Sequence, residues 1–170
     1  MPTGPPVVTD SMAARAMVRA ARDIAHIDGG RAPGAADRRR GYRTAMDHHG
    51  LGDHIRVLPG GLTEEEGAAA ACPRPTAVLA FNDRCATDVL DVFLRSGVTV
   101  PGDVSVVGFD DSHLDRLAHI DLTTVGQDIP RLAQLAVGRA VAGLEGDGTP
   151  VREQAIAPRL IVRGTTAAQN

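Results

Sequence analysis

Carboxylate and amide side chains follow several apolar runs of the sequence, each time at the point where the run ends. They are Asp28, Asn82 with Asp83, Asp110 with Asp111, and Gln127 with Asp128. Such side chains accept and donate hydrogen bonds in fixed pairs, and one carboxylate can bind two neighbouring hydroxyl groups. The set contains no nucleophile. The pattern therefore indicates recognition of a small polyhydroxylated ligand rather than catalysis.

The same residue types also have a purely structural use. Asp and Asn directly before a helix are common N-caps, and any of these pairs could be no more than that. Of two adjacent carboxylates in a turning segment, one normally points into a crevice while the other caps the next turn. We therefore assign Asp110 to the ligand and Asp111 to the structure.

A basic cluster lies in the segment ADRRRGY, within a predicted helix. Only one arginine per helical face can reach a crevice, which favours Arg38. Arg39 and Arg40 are expected to meet solvent or acidic groups. An arginine at a ligand crevice also leaves open an anionic ligand such as a sugar phosphate.

Two further features permit both a chemical and a structural interpretation. His48, His49 and His54 stand near two carboxylates, as in a metal site, but they follow a predicted helix end, where histidine is favourable against the helix dipole. Cys85 lies near a predicted helix N-terminus, which can activate a thiol, yet buried packing is the preferred interpretation. We expect neither a metal nor a cofactor.

Composition argues against several classes of protein. All 18 basic residues are Arg, so the lysine chemistry of P-loops, Schiff bases and phospho-acceptor receiver domains is absent. The net charge is −3, with acids and bases interspersed, which offers no basic surface for nucleic acid or anionic lipid. No apolar run approaches the roughly 20 residues that span a bilayer, and the first residues do not resemble a secretory signal. We expect a cytoplasmic protein that is not an enzyme.

Short apolar runs alternate with helical segments, which is typical of an α/β fold with a parallel sheet. The predicted strands are 23–27, 55–58, 76–81, 104–109, 122–125 and 159–163. The predicted helices are 10–21, 37–50, 63–71, a helix from Asn82 or Asp83 to Gly97, and 128–144 with Asp128 as its cap. Ligands of such sheets bind outside the carboxyl ends of the strands, where the polar residues stand.

Six motifs follow one another in a characteristic order: VVTD, RRRGY, PTAVLAFND, VPGDVSVVGFDD, LTTVGQD and LIVRGTT. Their order and spacing resemble the C-terminal half of the LacI/GalR family of bacterial transcription repressors, from about residue 7 to 166. The resemblance implies a periplasmic-binding-protein-like fold, in which two α/β lobes close on a small ligand. The C-terminal lobe would be largely complete here, and the N-terminal lobe truncated.

The resemblance also implies a domain organisation and a set of effector contacts. Residues 1–21 would be a remnant of the N-terminal lobe, 22–126 the C-terminal lobe, 127–155 a return segment of the N-terminal lobe, and 156–170 the final strand and tail of the C-terminal lobe. The family's effector contacts fall on Asp10, Arg38, Asn82, Asp110 and Gln127, and Leu62 stands where an aromatic residue often stacks on the effector.

By this resemblance, the chain is the effector-sensing portion of a regulator, with a sugar-like effector and a homodimeric state. DNA would be bound only through a helix-turn-helix headpiece, which the sequence does not contain. The alternatives are a degenerate fragment of such a regulator and a sugar-binding transport component. Helices 10–21 and 128–144 carry apolar stripes whose partner sheet lies outside this chain in the family, so we expect self-association or a loosely held second lobe.

Overall fold

The computed structural model describes residues 23–60, 75–146 and 154–167. The strands are β1 (Ile24–Asp28), β2 (Arg56–Pro59), β3 (Ala77–Ala80), β4 (Ser105–Asp110), β5 (Thr123–Gly126) and β6 (Arg159–Ile161). The helices are α1 (Ala35–His48), α2 (Asp83–Arg95) and α3 (Ile129–Leu144), with short 3-10 helices at Gly52–His54 and His113–Arg116. The predicted helices 10–21 and 63–71 lie outside the described residues.

The six strands form one sheet in the order β2-β1-β3-β4-β5-β6. All pairs from β2 to β5 are parallel, as the alternating pattern predicts. The chain adds β2 on one side of β1 and β3 on the other, so the crossover direction reverses between β1 and β3. This reversal creates the position where open α/β sheets bind ligands.

The last strand departs from the parallel pattern, because β6 pairs antiparallel with β5. A parallel neighbour would require a crossover packed on a face of the sheet. Helix α3 precedes β6 but buries none of its residues. The chain therefore returns along the edge of the sheet instead of crossing over it.

Helices α1 and α2 cover opposite faces of the sheet. Tyr42, Ala45 and Met46 of α1 pack on one face. Ala86, Val89 and Phe93 of α2 pack on the other. Because both faces are covered, the strands read as continuous apolar runs rather than as alternating ones.

Helix α3 leaves its apolar side chains in solvent, at least with respect to the described residues. Ile129, Val137 and Leu144 are 55%, 63% and 89% exposed. Asp128 caps the helix as predicted, accepting a hydrogen bond from the Arg131 amide at 3.0 Å. The helix is thus well formed locally without contributing to the core. In the described part of the chain, no helix has the length and apolar character needed to cross a bilayer.

One of the buried strand residues is a histidine, His26. His26 is 1% exposed, lies against the ring of Tyr42 at 5.4 Å and shares a hydrogen bond through Nδ1 with the Leu79 carbonyl oxygen at 3.2 Å. Its Nε2 has no hydrogen-bond partner among the described residues. Burial lowers the pKa of His26 to about 4, against an opposing effect of the Asp28 carboxylate. The imidazole is therefore neutral in the folded protein at ordinary pH.

This neutral histidine predicts acid sensitivity. Its pKa is lower in the folded state than in the unfolded chain, so its stabilising effect is present above about pH 6.5 and is lost as the pH falls through about 4. We expect His26→Asn to be less stable than the unchanged protein at pH 7. Between pH 7 and pH 4, however, its free energy of unfolding should fall by about 2 to 3 kcal/mol less than that of the unchanged protein. Urea unfolding at several pH values measures this difference.

The matched control is His54→Asn, since His54 is exposed. It should show the same pH dependence as the unchanged protein. Identical acid sensitivity in the His26 variant and the unchanged protein would contradict a neutral buried imidazole.

Candidate functional site

The carboxyl ends of β1, β3, β4 and β5 lie along one side of the sheet, which we call the carboxyl edge. Parallel pairing of these strands places all four ends together. The polar residues that follow β3, β4 and β5 in the sequence therefore meet there. Arg38 joins them from α1.

Arg38 is fixed at the carboxyl edge by several contacts. Its Nη1 donates a hydrogen bond to the Phe81 carbonyl oxygen, and its Nη2 lies 3.3 Å from Asp110 Oδ1. The guanidinium carbon also lies 3.7 Å from the centre of the Phe109 ring and 4.5 Å from that of Phe81. Cation–π contacts of this kind orient the group as well as stabilise it. The guanidinium is consequently held in one position before any ligand arrives.

Asp110 is the point where three predicted site residues converge. Its Oδ1 accepts hydrogen bonds from Arg38 and, at 3.1 Å, from Gln127 Nε2. The side chain is 44% exposed, and Oδ2 has no hydrogen-bond partner within the described part of the chain. Burial raises the pKa of Asp110, while Arg38 and Gln127 oppose that effect. The carboxylate thus keeps one oxygen available for a ligand hydroxyl.

The two polar atoms of the Asn82 side chain differ: one makes a structural hydrogen bond, and the other makes none with the described residues. Its Oδ1 accepts a hydrogen bond from the Cys85 amide at 2.9 Å and caps α2. Its Nδ2 donates to no atom of the described residues, so it remains able to donate to a ligand. The capping interpretation is confirmed, and the effector contact stays a prediction.

Asp111 differs from Asp110 in every contact. It is held by Arg163 at 2.6 Å and by Arg116 at 3.1 Å, and its side chain is only 11% exposed. Burial by itself would raise the pKa of Asp111, but the hydrogen bonds from the two arginines outweigh it and lower the pKa. The geometry agrees with the division between a ligand-facing Asp110 and a structural Asp111.

The other two arginines of the basic cluster are paired with acidic residues. Arg39 forms an ion pair with Asp28 at the end of β1, and Arg40 lies 2.6 Å from Asp37 on the same helix. Both therefore meet acidic groups, as predicted, although Arg39 does so at the carboxyl end of β1. The predicted contacts Asp10 and Leu62 lie outside the described residues.

Sequence reasoning missed the aromatic part of the site. Phe81 and Phe109 are two of only three phenylalanines in the chain, and both stand directly before the polar residues of the carboxyl edge. Phe81 also packs over Gly29, where a Cβ atom would lie 2.5 Å from the ring. The position of two rare aromatic residues at strand ends was the available signal.

The remaining candidate residues do not join this site. Burial raises the pKa of Cys85 to about 11, so the helix N-terminus does not activate this thiol. His48 and His49 contact each other edge to face at 5.3 Å. Among the described residues, no three potential metal ligands come together.

Comparisons with known proteins agree with this architecture. The profile of the periplasmic binding protein-like domain matches residues 14–166. HTH-type transcriptional regulator MalR of Streptomyces coelicolor is 40% identical over 134 residues, and HTH-type transcriptional regulator reg1 of Streptomyces lividans is 36% identical over 137 residues. These matches cover 74% and 80% of the chain, which spans about two fifths of the length of these curated relatives (39% and 38%).

Solved structures give the same result. A LacI transcriptional regulator from a Rhodococcus species is 46% identical, with a TM-score of 0.86 over 97% of this chain and 63% of that chain. A dimeric Lac repressor with an 11-residue C-terminal deletion is 25% identical, with a TM-score of 0.84 over 96% of this chain and 62% of that one. The chain therefore belongs to the periplasmic binding protein-like domain family and corresponds to the effector-binding portion of LacI/GalR-type regulators.

Proposed function

We propose that the carboxyl edge binds a neutral, hydroxyl-bearing small molecule such as a sugar, and that the chain senses this effector for a LacI/GalR-type transcriptional regulator. The observation that carries the proposal is the convergence of Arg38, Asp110 and Gln127, from three different elements, in direct hydrogen bonds. Asp110 Oδ2 and Asn82 Nδ2 supply one acceptor and one donor for vicinal hydroxyl groups. The half-buried Phe81 ring supplies an apolar surface beside them, while the buried Phe109 ring supports the Arg38 guanidinium.

The charge balance favours a neutral effector over a phosphorylated one. Each of the two arginines nearest the edge has a carboxylate partner, Arg38 with Asp110 and Arg39 with Asp28. A phosphate placed on Arg38 would face the Asp110 carboxylate at close range, and like charges at such separation are unfavourable. A sugar hydroxyl can bind both groups at once.

Sensing rather than catalysis is favoured by the same groups. Asp110 and Arg38 are ion-paired and held in place, and among the described residues neither bonds to a nucleophile or a general base. The relatives named above are transcriptional regulators. Operator binding would come from a helix-turn-helix element outside this sequence, and the site of action would be the cytoplasm.

The packing of α3 supports the domain assignment predicted from the sequence. Residues 22–126 and 156–170 would form the C-terminal lobe, while 1–21 and 127–155 would belong to the second lobe. An α3 that packs no residue into the described sheet, yet carries exposed Ile129, Val137 and Leu144, supports this assignment. Effector binding would then favour one arrangement of the lobes over another.

A second copy of the chain is the proposed occupant of a groove at the opposite end of the sheet. This groove of about 510 Å³ lies between the C-terminal half of α2 and the segments before β4 and β5; its apolar lining includes Leu90, Leu94, Val98, Val100 and Ile120. Leu94 is 77% exposed there. The similar Lac repressor structure is of a dimer, which supports a homodimeric state, and the exposed apolar lining of the groove supports this surface as its location.

The paired substitutions Asp110→Asn and Asp111→Asn test the effector site. Asn is isosteric with Asp and tolerates the positive φ of both positions. Asp110→Asn should weaken sugar binding at least about tenfold with little change in stability. The reason is that an amide nitrogen replaces Oδ2, the oxygen available to accept a hydrogen bond from the ligand. Asp111→Asn should instead cost about 1 to 3 kcal/mol of stability, because Arg116 and Arg163 lose their ionic partner.

Differential scanning fluorimetry and urea unfolding with D-glucose, D-galactose, D-ribose and maltose measure both effects. A bound sugar at 100 times its dissociation constant adds about 2.7 kcal/mol to the stability of the unchanged protein. A flat response to all four sugars would favour a degenerate fragment over a sensor of these sugars.

Charge selectivity has its own test. Because Asp110 faces the ligand, we expect D-glucose, D-galactose or D-ribose to bind at least about tenfold more tightly than the phosphate ester of the same sugar. Isothermal titration at two salt concentrations measures the preference. A preference for the phosphate that weakens as salt increases would show that Arg38 acts as an anion site.

The proposed dimer surface is tested by Leu94→Asp, with Val137→Asp on α3 as the matched control. A charge in the groove should shift the chain to monomers, since burying an unpaired carboxylate is costly. Sedimentation velocity gives the distribution. Monomers for Val137→Asp alone would place self-association on α3 instead.

A further inference from the structure

Two buried carboxyl groups lie directly behind the carboxyl edge. Asp83 stands in the first turn of α2 and is 3% exposed, while Asp115 stands in the 3-10 helix His113–Arg116 and is fully buried. Both carboxyl groups accept hydrogen bonds from Ser112, Asp83 from its amide and Asp115 from its hydroxyl, so the two groups lie close together. Two neighbouring buried carboxyl groups favour a state in which one of them holds a proton.

Asp83 holds the segment that follows Asp110. Its Oδ2 accepts a hydrogen bond from the Ser112 amide at 2.8 Å, and its Oδ1 accepts one from the Thr124 hydroxyl at 2.5 Å. Thr124 in turn accepts a hydrogen bond from the Asp111 amide at 3.4 Å. The Ser112 hydroxyl donates to Asp115 Oδ1 at 3.1 Å. The carboxyl pair thus ties α2, the turn after β4 and strand β5 together.

The turn after β4 needs such support. Asp110 and Asp111 have φ angles of 116° and 53°, a region that L-residues rarely adopt. Residues in this region are strained and persist only where their surroundings hold them. The turn aims the Asp110 side chain at Arg38 and Gln127. Release of its Ser112 anchor would therefore alter the effector site itself.

The packing around the pair is unfavourable for a second negative charge. Gly108 of β4 lies so close that a Cβ atom would be 2.4 Å from Asp83 Oδ1. Within the described residues, no cationic side chain bonds to either carboxyl, and Asp115 Oδ2 has no partner. Burial, and then the neighbouring Asp115 carboxyl, raise the pKa of Asp83 to about 8, against opposing hydrogen bonds from Thr124 and Ser112.

The neighbouring charges are engaged elsewhere. Asp110 pairs with Arg38. Arg116 and Arg163 both pair with Asp111, which leaves neither of them bonded to the carboxyl pair. His113, in the same 3-10 helix, is exposed. The protonation of the pair is therefore governed mainly by its own burial and mutual repulsion.

We propose that Asp83 and Asp115 share one proton and act as positioning residues, so that the effector site loses affinity when this proton is released at alkaline pH. Neither residue touches the effector in this scheme. Loss of the proton leaves two like charges side by side in the core, and their repulsion displaces Ser112 and Thr124, the residues whose contacts place Asp110 and Gln127. The proposal rests on the carboxyl edge being the effector site, as proposed above.

The direct test is a carbon and nitrogen NMR titration of the 170-residue chain from pH 5 to 10. The carboxyl carbon of Asp83 should titrate near pH 8. The Ser112 amide and the Gln127 side-chain amide should shift with the same midpoint. In Asp115→Asn, which replaces the repelling carboxyl by an amide donor, all three midpoints should move together to lower pH.

The matched control is Asp88→Asn, because Asp88 is an exposed carboxylate on the same helix. It should leave the three midpoints unchanged. Titration of both buried carboxyls near pH 4, or a Gln127 side-chain amide that does not respond to the Asp83 titration, would overturn the proposal. These readouts need no sugar.

Binding provides the second readout, with D-glucose, D-galactose, D-ribose and maltose as probes at pH 6.5 and pH 9. If only the protonated pair supports binding, affinity should fall about tenfold at pH 9. Asp83→Asn, which is neutral at both pH values, should show equal affinity at both. Equal affinity of the unchanged protein at both pH values would overturn the proposal. A lack of sugar binding at every pH would instead count against the effector site, and the NMR titration alone would then test the carboxyl pair.

Discussion

The ion pair between Arg38 and Asp110 depends on nearly every other feature of this fold. Its partners are 72 positions apart in the sequence and come together only because α1 follows β1, the crossover reverses between β1 and β3, and β4 lies parallel to β3. The Arg38 guanidinium also contacts the rings of Phe81 and Phe109, which orders it more than a surface arginine. Exposed ion pairs contribute little to stability. Its value here lies in holding a donor and an acceptor at fixed positions before a ligand binds, which lowers the ordering cost of binding.

The strands and the polar residues at their ends could be predicted from the sequence, because both follow patterns that recur along the chain. Continuous apolar runs predicted all six strands, because a sheet covered on both faces needs apolar side chains on both. The rule that ligands bind at the carboxyl ends of parallel strands then predicted that Asp110 and Gln127 share one edge. Arg38 was predictable from its position on one helical face and from the resemblance to the LacI/GalR family. Asn82 and Asp128 were predictable as caps for a local reason: each stands directly before a helical apolar pattern.

The parts that depend on particular packing could not be predicted in the same way. The antiparallel β6 follows from α3 staying off the sheet, and an apolar stripe on a helix does not reveal where that helix will pack. The Asp83–Asp115 contact joins the first turn of α2 to a 3-10 helix that has no periodic signal. His26 reads as an interruption of an apolar run, yet the neutral imidazole fits the core because Tyr42 covers its ring. In each case the structure depends on a contact between residues far apart in the sequence, and no local sequence pattern predicts such a contact.

Helix α2 connects the two ends of the molecule that carry the proposed functions. Asn82 and Asp83 lie at its N-terminus, beside the effector site, while Leu90 and Leu94 lie in the groove proposed for the second copy. A helix of 13 residues is about 20 Å long and moves as one body when its buried face is closely packed. Phe93 and Val89 provide that packing against the sheet. A change in the hydrogen bonds around Asp83 would therefore be transmitted to the groove proposed for the second copy, through the described helix that both regions share.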